Sequence, residues 1–123
     1  MCANEIRVIT SADSPLKAIS QTELASIFLK RKSKIQGQEI QVIQYRANSI
    51  ERIKFARKIL NMSMDEETLY WRKQLVQKGI RPPKSKKNAL IVKKYLARHP
   101  FTISYLLDKS DLDDTVVEIQ VTN

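Results

Sequence analysis

The chain has 123 residues, 42% hydrophobic and 28% charged, which fits one globular domain over 1–123 with a single core. Four Pro and two Gly are too few for a disordered linker, no run of about 20 apolar residues is present to cross a bilayer, and one cysteine and one histidine exclude an internal disulfide and a Cys/His zinc cluster. The net charge of +9 is concentrated in residues 30–98, which hold 19 basic and 5 acidic residues, a field that attracts anions of any kind, from small oxyanions to nucleic acid.

Glu5 to Thr10 (EIRVIT) alternates polar and apolar residues and carries β-branched Ile6, Val8 and Ile9, so it reads as a first strand. Ser11-Ala12-Asp13-Ser14-Pro15 follows as a turn-rich loop. Ser20 and Glu23 have the spacing of a capping box, and Leu24, Ile27 and Phe28 then share one face, which predicts a helix from Gln21 to Leu29. Glu39 to Tyr45 alternates again as a second strand.

After Tyr45 the apolar period becomes helical: Ile50, Ile53, Ala56 or Arg57, and Ile59-Leu60 make one stripe, with Asn48 or Ser49 as N-cap and Asn61 as the stop. A second capping box, Ser63 with Glu66, opens another helix through Leu69, Trp71 or Arg72, and Leu75-Val76 to Gly79. Arg81-Pro82-Pro83 cannot be helical. Ser85 marks a further helix start, with Leu90, Ile91, Tyr95 and Leu96 as its apolar face and His99-Pro100 as its end. Phe101 to Leu107 and Thr115 to Val121 read as the last strands, separated by the acidic turn Asp108 to Asp114. The order β-α-β-α-α-α-β-β argues for an α/β domain holding a partly parallel sheet.

Catalysis requires a nucleophile with a base, a pair of carboxylates in different environments, or a metal site. His99 at a helix end suits the helix dipole, Cys2 sits beside the N-terminus, and Asp65-Glu66-Glu67 and Asp111-Asp113-Asp114 match a helix start and a turn on solvated faces. The expectation is therefore no enzyme, no metal and no cofactor.

The junction Tyr45-Arg46-Ala47-Asn48-Ser49 is more informative, because a helix that starts directly after a strand points unpaired amide N–H groups out of the sheet end, where anions settle. Arg46 offers a bidentate fork to an oxyanion, and Asn48 and Ser49 offer neutral donors. The same residues also serve as an ordinary helix cap with a surface arginine. Tyr70-Trp71 reads either as an aromatic platform or as packing, and Lys84-Ser85-Lys86-Lys87 with Lys93-Lys94 as phosphate contacts resting on charge alone.

Three segments carry a resemblance. Ile19 to Lys30 (ISQTELASIFLK) resembles the S…EL..IFLGK segment of the phosphate-specific periplasmic substrate-binding proteins of ABC transporters, Tyr70-Trp71 with Gly79-Ile80-Arg81-Pro82-Pro83 resembles the YW…G…PP stretch of their short relatives, and His99 to Tyr105 is similar to NPGAIGY. With the first strand and its Ser-Pro loop, they follow the family's order over nearly the whole chain.

The resemblance implies a single lobe of a type II periplasmic binding protein fold, with a mixed, mostly parallel sheet flanked by helices. It puts Arg46 at the family's anion-binding arginine and Asn48-Ser49-Ile50 where the family has a GSGT-like helix mouth, although Gly-Ser-Gly-Thr itself is not here. The function expected is a non-enzymatic, exported binding domain for phosphate or sulfate, with a partner protein or a homodimer supplying the second half of the clamp. The address implied is periplasmic, without its signal peptide and with Cys2 as a candidate lipid-bearing residue. Alternatives are a protein-interaction module on the same fold and a basic nucleic-acid binder using residues 30–98.

Overall fold

The computed structural model describes residues 6–107 and 112–122. Its elements are β1 (Arg7–Ser11), β2 (Ala18–Ser20), α1 (Gln21–Phe28), the hairpin β3 (Lys34–Ile35) and β4 (Gln38–Glu39), β5 (Gln41–Tyr45) and α2 (Ile50–Phe55), which widens into a π-helical turn over Ala56–Leu60. There follow α3 (Met64–Lys78), β6 (Lys84–Lys86), α4 (Ala89–Arg98), β7 (Thr102–Leu106), β8 (Val116–Glu118) and β9 (Gln120–Thr122).

The main sheet has the order β6-β5-β7-β1-β8. β5 runs parallel to β6 and β7, and β1 runs antiparallel to β7 and β8, so β1 alone points against the other four. This is the expected α/β architecture. Strand β7 lies at the centre and is buried along its whole length, as a strand covered on both faces must be. Alternation sends Tyr105 to the side where Phe28 of α1 and Phe55 of α2 pack. Phe55 stacks on Tyr105 at 4.0 Å, and Phe28 lies 4.5 Å from Phe55. Burying each such side chain contributes about 1.5–3 kcal/mol, so this aromatic cluster fixes both helices on the sheet.

The helix starts and stops follow the local chemistry. Ser63 and Glu66 form the full capping box, Asn61 closes the preceding turn at φ 57°, and Gly79 closes α3 at φ 67°. At Ser20 only half the box forms: its hydroxyl accepts from the Glu23 N–H, while the Glu23 carboxylate pairs with Lys32 at 2.6 Å. Residues Gln36 and Gly37 both take positive φ in the two-residue loop between β3 and β4, the geometry a tight hairpin selects.

Several expectations are corrected. Ser85 does not start a helix: it lies in β6, and Asn88 caps α4 by accepting from the Ile91 N–H at 3.0 Å. The buried face of α4 is Val92 and Leu96, whereas Leu90 and Ile91 are exposed. On α3, Leu69, Leu75 and Val76 are exposed too, and Glu67 and Trp71 are the buried pair. The strand expected over Thr115 to Val121 breaks at buried Ile119, so that β8 continues the main sheet while β9 pairs in parallel with β2. The short pairings of β2, β3, β4 and β6 have no signal in the sequence, because segments of two or three residues are too short to show a period.

Candidate functional site

The site grows out of the β5–α2 junction. Tyr45 ends β5 buried at 1% exposure and donates its hydroxyl to the Tyr105 carbonyl at 2.9 Å, which fixes the strand end against β7. The chain then turns once: the Ser49 N–H donates to the Arg46 carbonyl at 2.9 Å, and the Ser49 hydroxyl donates to the same oxygen at 2.7 Å. Arg46, Ala47 and Asn48 are not among the described residues with positive φ, so this turn is built without glycine.

Ser49 is the N-cap, its hydroxyl accepting from the Arg52 N–H at 3.2 Å. Helix geometry leaves the N–H groups of the first helical residues, Ile50 and Glu51, pointing out of the helix start. Arg46 and Asn48 are exposed and Ser49 is half-buried. Among the described residues neither the Arg46 nor the Asn48 side chain has a hydrogen bond or ion pair. The three expected residues therefore occupy one turn, with Ser49 as the cap and Asn48 left available.

The sequence reading missed what holds this turn in place. Arg52 donates from Nε and Nη2 to the two carboxylate oxygens of Glu67, each at 3.3 Å, and from Nη1 to the Tyr45 carbonyl at 3.3 Å. Trp71 adds its indole N–H to Glu67 at 3.4 Å. Glu67 is thus not part of a solvated acidic face. It is 1% exposed and clamps α3 to the strand end through Arg52. The i, i+4 spacing of Glu67 and Trp71 was the signal available for this.

Trp71 is buried and the Tyr70 hydroxyl donates to the Leu29 carbonyl at 2.7 Å, so this pair is packing and not an open platform. His99 accounts for itself as a helix end, its ring Nδ1 donating to the Tyr95 carbonyl at 2.9 Å. Cys2, Asp108 and Asp111 lie outside the described residues.

No protein-family model and no curated protein sequence matches the chain significantly. Among solved structures, an ABC-type phosphate transport receptor from Vibrio cholerae superposes with a TM-score of 0.75 at 13% identity, over 96% of this chain and 46% of that one. PstS from Borrelia burgdorferi superposes with a TM-score of 0.73 at 16% identity, over 98% and 49%. The fold matches a single lobe of a periplasmic-binding-protein-like fold. A Clostridium perfringens protein solved with bound phosphate gives 0.72 at 17% identity, over 96% and 45%. The chain thus spans about half the length of these proteins, and within this lobe fold β5 and α2 are the strand-to-helix step that carries Arg46, Asn48 and Ser49.

Proposed function

We propose that this chain is a single, non-enzymatic binding domain over 1–123, exported to the periplasm, that takes a small oxyanion such as phosphate or sulfate at the β5–α2 junction. The observation that carries the reading is the junction turn. One exposed guanidinium, Arg46, and one exposed amide, Asn48, lie on the same four-residue turn as the capped start of α2. The guanidinium supplies a bidentate fork, and Asn48, the Ser49 hydroxyl and the Ile50 and Glu51 N–H groups supply neutral donors. The phosphate-binding relatives in fold support the ligand class.

Each charge-assisted hydrogen bond contributes about 1.5–3 kcal/mol net. Against the cost of association, one lobe open to water leaves an affinity on the order of 1 mM. A partner protein or a second copy closing over the junction raises it. Titration calorimetry with phosphate and with sulfate on the wild type and Arg46→Ala tests the assignment: heats lost in the variant support it, and equal heats in both proteins remove it.

The second reading, an interaction module on the same fold, is favoured by the exposed apolar side chains Leu69, Leu75 and Val76 on α3. Its mark is capture of a periplasmic partner by a protein with no oxyanion affinity. The nucleic-acid reading has the charge of residues 30–98 but loses its stacking surface with the burial of Trp71.

A further inference from the structure

At the opposite end of β5 from the junction, the exit of α1, the first half of β5 and the loop before β6 enclose a concavity of about 750 Å³. Its floor is aliphatic. Ile27, Val42 and Ile43 are buried core residues, Pro83 is buried, and Ile40 and Ile80 are half-buried beside them. Its rim is cationic: Lys30, Arg31 and Lys32 come from the α1 exit, and Arg81 and Lys84 from the other wall. No carboxylate is among the described lining residues, and among the described residues only Lys32 of these five cations has an ion pair, to Glu23.

The rim is held in shape by the backbone. Lys30 takes φ 58°, and the N–H groups of Arg31 and Lys32 both return to the Ser26 carbonyl, at 2.9 and 3.3 Å. Three consecutive cations are thereby wrapped around the end of α1. Arg31 is placed 5.5 Å from the Tyr70 ring centroid, a ring anchored by its hydroxyl on Leu29. The negative end of the α1 dipole accounts for cations at that exit. It does not account for Arg81 and Lys84, which the chain brings to the same rim from beyond α3. Register puts Lys84 directly beside Ile43, so charge and aliphatic floor adjoin.

An inorganic oxyanion in this space would meet the rim and leave the aliphatic floor in water, while a neutral apolar molecule would cover the floor and leave the four rim cations without an ion pair unanswered. A nucleobase finds no open ring: Tyr95, the aromatic residue of the lining, is stacked by His99 at 4.0 Å and carries the Lys86 ammonium 4.5 Å from its centroid. The volume lies in the range of small-molecule pockets. We infer that this concavity binds a small amphiphilic anion, an aliphatic body bearing a phosphate-type head group, and that it is a site separate from the Arg46 turn, sharing no residue with it.

The test uses the full chain and hexyl phosphate as probe, by titration calorimetry with amide-resolved NMR. Inorganic phosphate, 1-hexanol, phosphatidylglycerol vesicles and an acidic leucine-containing hexapeptide are the comparison arms. The expected result is hexyl phosphate binding at least tenfold tighter than either inorganic phosphate or 1-hexanol. It shifts the amides of Ser33, Val42 and Lys84, and binding read from the Ser33 and Val42 shifts weakens at least fivefold in the Arg81→Gln/Lys84→Gln double variant. Equal binding of inorganic phosphate at these amides, undiminished binding in the double variant, or hexyl phosphate shifts confined to the Arg46 turn overturn the inference. So does binding confined to the vesicles, which assigns the rim to a lipid surface, or confined to the peptide, which assigns it to a protein partner. The substituted side chains are exposed and outside the core, and an unchanged amide spectrum away from the pocket confirms that the variants fold.

Discussion

Arg52 and Glu67 meet in two contacts of 3.3 Å across the corner between α2 and α3, and the same guanidinium reaches the Tyr45 carbonyl at the end of β5. With Arg52 at 12% and Glu67 at 2% side-chain exposure, the pair is largely out of water. Each partner therefore depends on the other to offset its desolvation. Removing one partner of such a pair costs about 3–5 kcal/mol, and Arg52→Ala and Glu67→Ala are each expected to destabilise by about 3 kcal/mol in urea unfolding. The Arg52→Leu/Glu67→Leu double variant is expected to lose markedly less than the sum of the single changes. Additive losses would show that the two groups act independently. Because Arg52 also holds the strand end, the single variants are expected to weaken oxyanion binding at the neighbouring turn while Arg46 itself remains in place.

This pair also marks where the sequence stopped being readable. Caps and breakers act within four residues, so Ser63 with Glu66, Asn61 and Gly79 announced their roles, and Ser49 was one of two candidates for the cap it makes. The face of α4 was misjudged because Leu90-Ile91 and Val92-Leu96 give two competing stripes on one helix, and the choice belongs to β1 and β7, against which α4 packs. Strand β6, Lys-Ser-Lys, has no apolar period and exists only because β5 offers it a ladder. Glu67 was read as a solvated first-turn acid because its partner, Arg52, lies on another helix. At the candidate site the residue types and the turn were therefore legible, while the support behind them was a tertiary contact with no local signature.

Asp113 carries the clearest acid-linked contribution. The hydroxyl and the N–H of Thr115 both donate to its carboxylate, at 2.5 and 2.8 Å, and Lys93 of α4 lies 3.0 Å away. These contacts lower its pKa from 3.8 to about 2, the Thr115 hydroxyl contributing most. A carboxyl whose folded pKa is depressed stabilises the fold fully above its unfolded value and loses that contribution as pH falls through the folded value. The window is therefore from pH 3.8 down to about 2. A carbon-13 NMR titration of the carboxyl is expected to show a midpoint near the lower limit in the wild type and a raised midpoint, still below the upper limit, in Thr115→Val, which keeps the N–H and Lys93 contacts. Asp113→Asn is expected to flatten stability against pH within this window. A wild-type midpoint at the ordinary aspartate value would refute the contact set.

Ser49 and Asn48 were equal candidates for the cap of α2, and the structure separates them. The Ser49 hydroxyl accepts from Arg52 N–H and donates to the Arg46 carbonyl, so Ser49→Ala removes a cap and a turn contact together. Loss of an N-cap costs about 1 kcal/mol, and Ser49→Ala is expected to lower stability by about that amount or slightly more. Asn48 is exposed and has no such contact, so Asn48→Ala is expected to stay within about 0.5 kcal/mol of the wild type. The two substitutions differ in a second measurement. If the junction takes phosphate, Asn48→Ala weakens binding with stability intact, because it removes a donor and leaves the turn formed. Ser49→Ala weakens binding and stability together. Thermal unfolding and phosphate titration on both variants separate these cases, and an Asn48→Ala protein that binds phosphate as the wild type does would confine the site to Arg46 and the helix start.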